Sequence, residues 1–422
     1  MKRYELLPGI FVTQIPADKF KRCRITVNFI LPGKREEATA LALLPLVMGR
    51  GFAACPDMTE LSLRLARLYG ASLSTDSYTQ GPNRVVSFSV TGIRDEYAPG
   101  GEALTREYLN LLREMIFRPD VADGAFREQP VAVEKDKLRE LCESEINEKR
   151  IYCMKQARRR FFKDDPAGLE RYGYPDEIAG ITGARLYEIW RGLLCGAQIE
   201  LFVMGTAEEE VAGAMREEFS AIPRVLRPLC PMTAMPPQKT ETCSEEIDAV
   251  QGKVCMLFTA GASIPIEELP VLRMAVALLG GVPTSRLFMN VREKQSLCYY
   301  CSAAYTQING VLMVNSGVEF DQAGRLTQAV LREWERLKEE PAQQKEIEDT
   351  RRQLQCAMSA VNDNMSSLEN WYSGEVSRGT LYTPEEASAQ LDAVTAGDIQ
   401  ACMRRFTLSV VYTLTGKKGG AV

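Results

Sequence analysis

Residues 24–48 read RITVNFILPGKREEATALALLPLVM, and past the middle of the chain residues 253–279 read KVCMLFTAGASIPIEELPVLRMAVALL. In the first stretch Ile25, Val27, Phe29 and Leu31 alternate with polar Thr26 and Asn28, the period of a strand from Arg24 to Leu31 with one face buried. An apolar helix follows from Glu37 to Met48. The second stretch repeats that order, with a strand from Lys253 to Thr259 and a helix from Glu267 to Leu279.

Outward from these two stretches the agreement continues. Asp57 opens a second helix, forming a capping box with Glu60; Leu61, Leu65 and Leu68 make its apolar face, and Gly70 stands where a C-cap belongs. Two strands, Ala71 to Tyr78 and Arg84 to Thr91, read as an antiparallel pair. The counterparts are a helix from Thr284 to about Lys294 and strands at Leu297 to Tyr305 and Val311 to Val318. Tyr78-Thr79-Gln80 recurs as Tyr305-Thr306-Gln307, an offset of 227 (305 minus 78). Thr182 and Thr395, each before a helix, lie 213 apart (395 minus 182). Each half then closes on a strand ending in glycine, Ile199 to Gly205 and Ser409 to Gly416. One unit written twice, with antiparallel strands and long helices after them, predicts an α+β fold of two duplicated domains, each an antiparallel-rich sheet packed by helices. Helical patterns at Ala103 to Ile116 and Glu134 to Arg158 suit covering helices with a solvated face.

Pro223, Pro228, Pro231, Pro236 and Pro237 oppose helix and central strand alike. They predict a first domain over 1–222, a linker over 223–247 and a second domain over 248–422.

Composition narrows the function. The chain has 45% hydrophobic and 25% charged residues and a net charge of -5, which suits a globular protein and argues against nucleic acid or anionic membrane as a partner. Glu5, Pro8, Gln14 and Asp18 interrupt any signal-like apolar stretch, and no run is long enough to span a membrane, so a cytoplasmic location is expected. The twelve cysteines, scattered without an export signal, read as mostly buried free thiols. Cys298 and Cys301 have redox or zinc-ligand spacing, but on a strand from Leu297 they would point to opposite faces, which favours packing. Glu143 and Glu145 read as part of a solvated helix face. The chain contains no histidine, which excludes histidine-liganded zinc and a histidine base.

Four strings carry a resemblance: Leu44-Pro45-Leu46-Val47-Met48-Gly49-Arg50-Gly51, Leu68-Tyr69-Gly70-Ala71-Ser72-Leu73, Asn147-Glu148-Lys149, and Arg292-Glu293-Lys294-Gln295-Ser296-Leu297-Cys298-Tyr299. Through them nearly the whole chain resembles the pitrilysin/insulinase zinc peptidases, and within that family a non-catalytic bacterial branch associated with elongation factor P aminopentanol modification. Active members carry His-x-x-Glu-His on the first helix, where the histidines hold zinc and the glutamate activates water. Counted back from Arg50-Gly51, the motif falls on Ala42 to Leu46, so the ligand positions hold Ala42 and Leu46 and the base position holds Pro45. The third ligand of the active family falls near Glu140 or Leu141.

Active members also use an arginine and a tyrosine seven residues apart in the non-metal half. Arg292 and Tyr299 have that spacing, and the resemblance implies that they contact a substrate or stabilise charge in a partner's site; as ordinary residues they would cap a helix and pack a strand. Tyr300 is the alternative should the register differ by one. The resemblance implies no cofactor in this chain, zinc in a zinc-bearing insulinase-family partner, and a peptide substrate enclosed between them. A catalytically dead scaffold, or an accessory in protein maturation such as elongation factor P modification, is the alternative.

Overall fold

The alternation from Arg24 to Leu31 places a strand at the centre of a six-stranded sheet in the computed structural model, which describes residues 1–416 apart from 233, 237, 238, 307 and 308. Pro237 of the linker and Gln307 of the repeated tripeptide lie outside the described residues. Contacts divide the chain into two units, Met1–Ser144 with Asp165–Pro231, and Glu145–Asp164 with Met232–Val422.

The first unit begins with β1 (Lys2–Leu7), β2 (Ile10–Ile15) and β3 (Arg22–Pro32), followed by α1 (Arg35–Met48), α2 (Met58–Arg67), β4 (Ser72–Gln80), β5 (Asn83–Ile93) and α3 (Leu104–Phe117). A short hairpin, β6 (Val121–Ala122) with β7 (Ala125–Phe126), leads to α4 (Glu128–Asn147). The next helix, α5 (Lys149–Phe162), belongs to the second unit. The chain then returns for α6 (Pro175–Ile178), α7 (Gly183–Gly196), β8 (Gln198–Met204) and α8 (Glu208–Ser220). The sheet order is β1-β2-β8-β3-β5-β4, antiparallel except for the β2–β8 pair. Ile25, Val27 and Phe29 of β3 and Val86, Phe88 and Val90 of β5 face a core closed by α1, α3, α7 and α8. Burying each such side chain stabilises the fold by roughly 1.5–3 kcal/mol. At α2, the Asp57 carboxylate accepts from the Thr59 and Glu60 backbone N–H groups at 2.8 and 2.9 Å, satisfying two of the helix's orphan donors.

The second unit contains β9 (Glu241–Ile247), β10 (Gly252–Thr259), α9 (Leu269–Val276), β11 (Tyr300–Thr306), β12 (Val311–Val318), α10 (Ala323–Glu339), α11 (Gln344–Val361), α12 (Met365–Arg378), α13 (Pro384–Ala389), α14 (Ala396–Arg404) and β13 (Thr407–Gly416). Its sheet order is β11-β12-β10-β13-β9, antiparallel except for β13–β9. That is the order β4-β5-β3-β8-β2 of the first unit, with the parallel pair at the corresponding place and β1 added beyond it. The duplication extends to register, since Ser74 pairs with Ser89 and Cys301 pairs with Ser316, both displaced by 227 (301 minus 74; 316 minus 89). Val254, Met256 and Phe258 of β10 pack with Leu312 and Val314 of β12 against α9, α10 and α14.

Three details depart from the sequence reading. The charged pattern from Glu134 to Arg158 is two helices, broken at Glu148, whose carboxylate accepts from the Arg150 N–H at 3.3 Å and so restarts the chain as α5. α5 covers β10 and β13 of the second unit, burying Cys153, Ala157 and Phe161, four residues apart on one helix face. Tyr152 anchors it by donating to Glu245 at 2.9 Å. In the second unit, Ala277–Gly281 and Leu287–Glu293 are wound as π-helix, and β11 begins only at Tyr300. Among the described residues no helix is long and apolar enough to cross a membrane.

Candidate functional site

In the first unit α1 holds Ala42 and Pro45 buried and Leu46 half-buried, in the core with Leu41, Leu43 and Leu44. A methyl group, a pyrrolidine ring and an isobutyl group offer no lone pair to a metal, so these residues do not fit zinc. Pro45 also removes the N–H that would reach the Leu41 carbonyl one turn back. Its own carbonyl accepts from the Gly49 N–H at 2.9 Å and from the Thr75 hydroxyl of β4 at 2.7 Å.

α4 turns Val131, Glu134, Leu138 and Cys142 inward, whereas Glu140 is exposed and Leu141 half-buried. The inward carboxylate, Glu134, is bound by Arg50 at 2.9 Å. Glu143 is exposed, and Glu145 pairs with Lys155 at 2.8 Å. Among the described residues, no group of three or more His, Cys, Asp and Glu side chains is placed to hold a metal ion.

In the second unit, Arg292 lies in the π-helical turn Leu287–Glu293, its guanidinium 4.5 Å from the centre of the Phe288 ring and its Nε 3.6 Å from Glu293. Five-residue spacing continues where the Lys294 N–H donates to the Met289 carbonyl at 3.1 Å. The Leu297 N–H then reaches back to the Val291 carbonyl at 3.2 Å, and between them Ser296 takes a left-handed φ of 49°. That turn delivers Cys298 and Tyr299 to the start of β11.

Tyr299 is 51% exposed, and its hydroxyl donates to Glu319 just past the end of β12. The bond to Glu319 and that carboxylate's charge push the phenol above its ordinary pKa, keeping it a protonated donor at neutral pH. Arg292 and Tyr299 therefore take different partners. Tyr300 points elsewhere: it is half-buried, packed on Gly317, where an added Cβ would stand 2.5 Å from its ring, with Arg150 of α5 4.8 Å from the ring centre. Its hydroxyl is buried and takes no hydrogen bond among the described residues.

Because β11 starts at Tyr300, Cys298 precedes the strand, and the two-residue alternation that would have separated it from Cys301 does not apply. Each thiol shifts the ionisation of the other. Cys301, with the Ser316 hydroxyl and the Arg292 charge, holds the Cys298 thiol down at about 7 against the opposing effect of burial. Cys301 is pushed well above the usual thiol range by Cys298 and by burial. Glu319 and Ser316, which sequence reasoning missed, become neighbours of this segment only through the β11–β12 register.

The fold is that of M16-like peptidases, and the residues that the resemblance sets at the metal-ligand positions of the first helix offer no ligand. Residues 180–354 match the family described as the peptidase M16 inactive domain. The chain is 26% identical over 414 residues to the probable inactive metalloprotease YmfF of Bacillus subtilis (strain 168), covering 98% of this chain and 97% of that protein. It is similar to the crystal structure of a conserved protein from Enterococcus faecalis V583, at 25% identity and a TM-score of 0.90 over 100% of this chain and 99% of the other. The crystal structure of a peptidase M16 inactive domain from Pseudomonas fluorescens shares the fold at 16% identity, with a TM-score of 0.81 over 100% and 98% of the two chains. The chain is thus similar to the peptidase M16 inactive domain over residues 180–354 and to a probable inactive metalloprotease over nearly its whole length.

Proposed function

We propose that this chain is the non-catalytic subunit of a two-chain zinc peptidase in the cytoplasm, lending Arg292 and Tyr299 to the site of a zinc-bearing relative and helping to enclose a peptide. The observation that carries this reading is the placement of Tyr299, an exposed phenol whose hydroxyl donates to Glu319, seven residues on from a partly exposed Arg292. When a peptide carbonyl is attacked, negative charge develops on its oxygen, and a positioned hydroxyl stabilises that charge more than it stabilises the substrate. Arg292, always charged and forked, suits a neighbouring carbonyl.

Since Ala42, Pro45 and Leu46 do not fit zinc, the metal and the water it activates are assigned to the partner. β11 is an edge strand of its sheet, and a peptide adding alongside it would be held through its backbone, independent of sequence. The test mixes this chain with a relative carrying His-x-x-Glu-His and measures peptide cleavage. Tyr299→Phe is expected to lower kcat roughly 100-fold to 1,000-fold, the effect of losing one donor to a developing oxyanion. Arg292→Ala should lower activity as well. Full activity without this chain, or with both variants, overturns the proposal; stable assembly with no effect on rate would instead indicate a scaffold.

A further inference from the structure

We infer that the second unit carries a side-chain pocket at the open edge of β11, one that takes a small aliphatic residue, valine or leucine, of a peptide laid along that strand. The inference rests on the addition of a peptide at β11 proposed above. A cavity of about 50 Å³ is walled by Arg158 and Phe162 of α5 and floored by Leu257, Met313 and Ala304. Register sets the floor. Leu257 of β10 pairs with Met313 of β12, and Met313 pairs with Ala304 of β11, so the three side chains form one row across one face of the sheet.

The unit's main core lies on the opposite face, where Met256 and Phe258 of β10 meet Leu312 and Val314 of β12 and Cys301 and Ala303 of β11. On the pocket's face α5 packs over β13, β10 and β12 and ends at Phe162, and Lys163 turns the chain with a left-handed φ of 51°. Leu257 and Phe162 are buried there, whereas Ala304, at the sheet edge, is exposed. The row is therefore covered at one end and open at the other. Among the described residues that line the cavity Arg158 alone is charged, and its guanidinium lies 5.3 Å from the centre of the Phe162 ring. Floor and walls thus present mainly carbon.

β11 ends its sheet, so a strand added beside it would stand about 4.8 Å away and turn alternate side chains to this face, about 7 Å apart. The residue opposite Ala304 continues the row. Only the Ala304 methyl group stands between that residue and the cavity, so its side chain leans over Ala304 toward Met313. Size selects the occupant. A water needs roughly 10–15 Å³ and an engineered cavity of about 150 Å³ holds benzene, so a cavity of about 50 Å³ admits an aliphatic tip and rejects an aromatic ring. Backbone bonds along β11 carry no sequence preference, and this pocket supplies one.

The experiment irradiates the full chain with the peptide Ser-Thr-Ser-Thr-Xaa-Thr-Ser-Thr-Ser, in which Xaa is the diazirine analogue of leucine, and locates the crosslinked residues by mass spectrometry. Crosslinks are expected on Phe162, Leu257 or Met313. Unlabelled peptides with Ala, Val or Trp at Xaa then compete. Val should compete roughly 16-fold more strongly than Ala, about 4-fold for each of two further buried carbons, and Trp no more strongly than Ala. Ala304→Phe, a change at an exposed position, should fill the mouth and make Val and Ala compete equally, while Ala304→Gly should keep the preference. Equal competition by Val and Ala in the parent chain overturns the proposal, as do crosslinks confined to residues outside the lining or an undiminished preference in Ala304→Phe. No zinc-bearing relative is present, so the outcome is separate from the cleavage assay. Crosslinking in the pocket without any effect on cleavage would remove the subunit role and leave the pocket; cleavage that depends on Tyr299, without a preference for Val, would do the reverse.

Discussion

Replacing Pro45 tests how completely α1 has become a core helix. A proline inside a helix costs about 3 kcal/mol relative to alanine, and Pro45→Ala would restore the donor for the Leu41 carbonyl. Against that gain, losing two buried methylenes costs about 1.6 kcal/mol. Freeing the unfolded chain from the proline ring costs about 0.4–1 kcal/mol more. The balance is a stabilisation of about 0.5–1 kcal/mol, read as a shift in the guanidinium unfolding midpoint. Pro45→Glu should do the opposite. The side chain would enter a helix whose neighbours Leu41, Ala42 and Leu44 are all buried, and an unpaired buried charge costs about 3–5 kcal/mol. Because burial raises a carboxyl pKa, that loss should be greatest above the raised value and shrink as the pH falls from 7 to 5. A glutamate variant as stable as the parent at pH 7 would refute the picture of a dry core at position 45. So would a loss above about 2 kcal/mol for the alanine variant.

Phe161→Ala should destabilise the chain by about 3–5 kcal/mol in chemical denaturation, since Phe161 is fully buried on α5 and meets Phe162 edge-on at 4.9 Å. A loss below about 1 kcal/mol would mean that α5 does not hold the second unit together. Glu346 supplies a pH prediction. Burial raises its pKa, but two bonds from Arg286 at 3.0 Å each and one from the Gln343 N–H lower it more, so the net shift is downward. A carboxylate with a lowered folded pKa contributes stability above its unfolded pKa of about 4.3 and loses it as the pH falls below that. Thermal melts between pH 5 and pH 3 should therefore show a shallower decline for Glu346→Gln than for the parent, and identical slopes would count against the pairing.

What the sequence disclosed follows the range of each signal. The strands were legible at Arg24–Leu31 and Val311–Val318 because alternation is local and turn residues bound it. The destination of α5 was not, because a helical stripe at Cys153, Ala157 and Phe161 says that a face is buried and nothing about which sheet buries it. The five-residue winding at Leu287–Glu293 leaves the apolar pattern of an ordinary helix, which is what the sequence predicts there. That a metal motif would fall on Ala42, Pro45 and Leu46 is implied by resemblance alone, since by themselves these residues describe a core helix. Glu319 stands 20 residues from Tyr299, and only hairpin register joins them.

The duplication separates what the fold requires from what has been added to it. At the offset of 227, Ser296 falls on Tyr69, and both take the left-handed conformation, at φ 49° and 56° (296 minus 69). A left-handed residue with a Cβ costs about 1–2 kcal/mol, so its appearance at the same place in both units marks a turn that the architecture imposes. Side chains around that turn are free of the constraint, and there the units diverge. Tyr299 falls on Ser72, Arg292 on Leu65, and Glu319 on Gly92, where an added Cβ would meet the Tyr108 ring at 2.2 Å. The first unit thus completes the turn with a small hydroxyl, an aliphatic residue and a glycine. The second unit sets an exposed phenol with its carboxylate partner, a cation and two cysteines three residues apart on the same backbone. None of these five groups has a counterpart of its own chemical kind in the first unit, so common packing does not account for them, and their concentration on one turn is the reason to seek the chain's chemistry there.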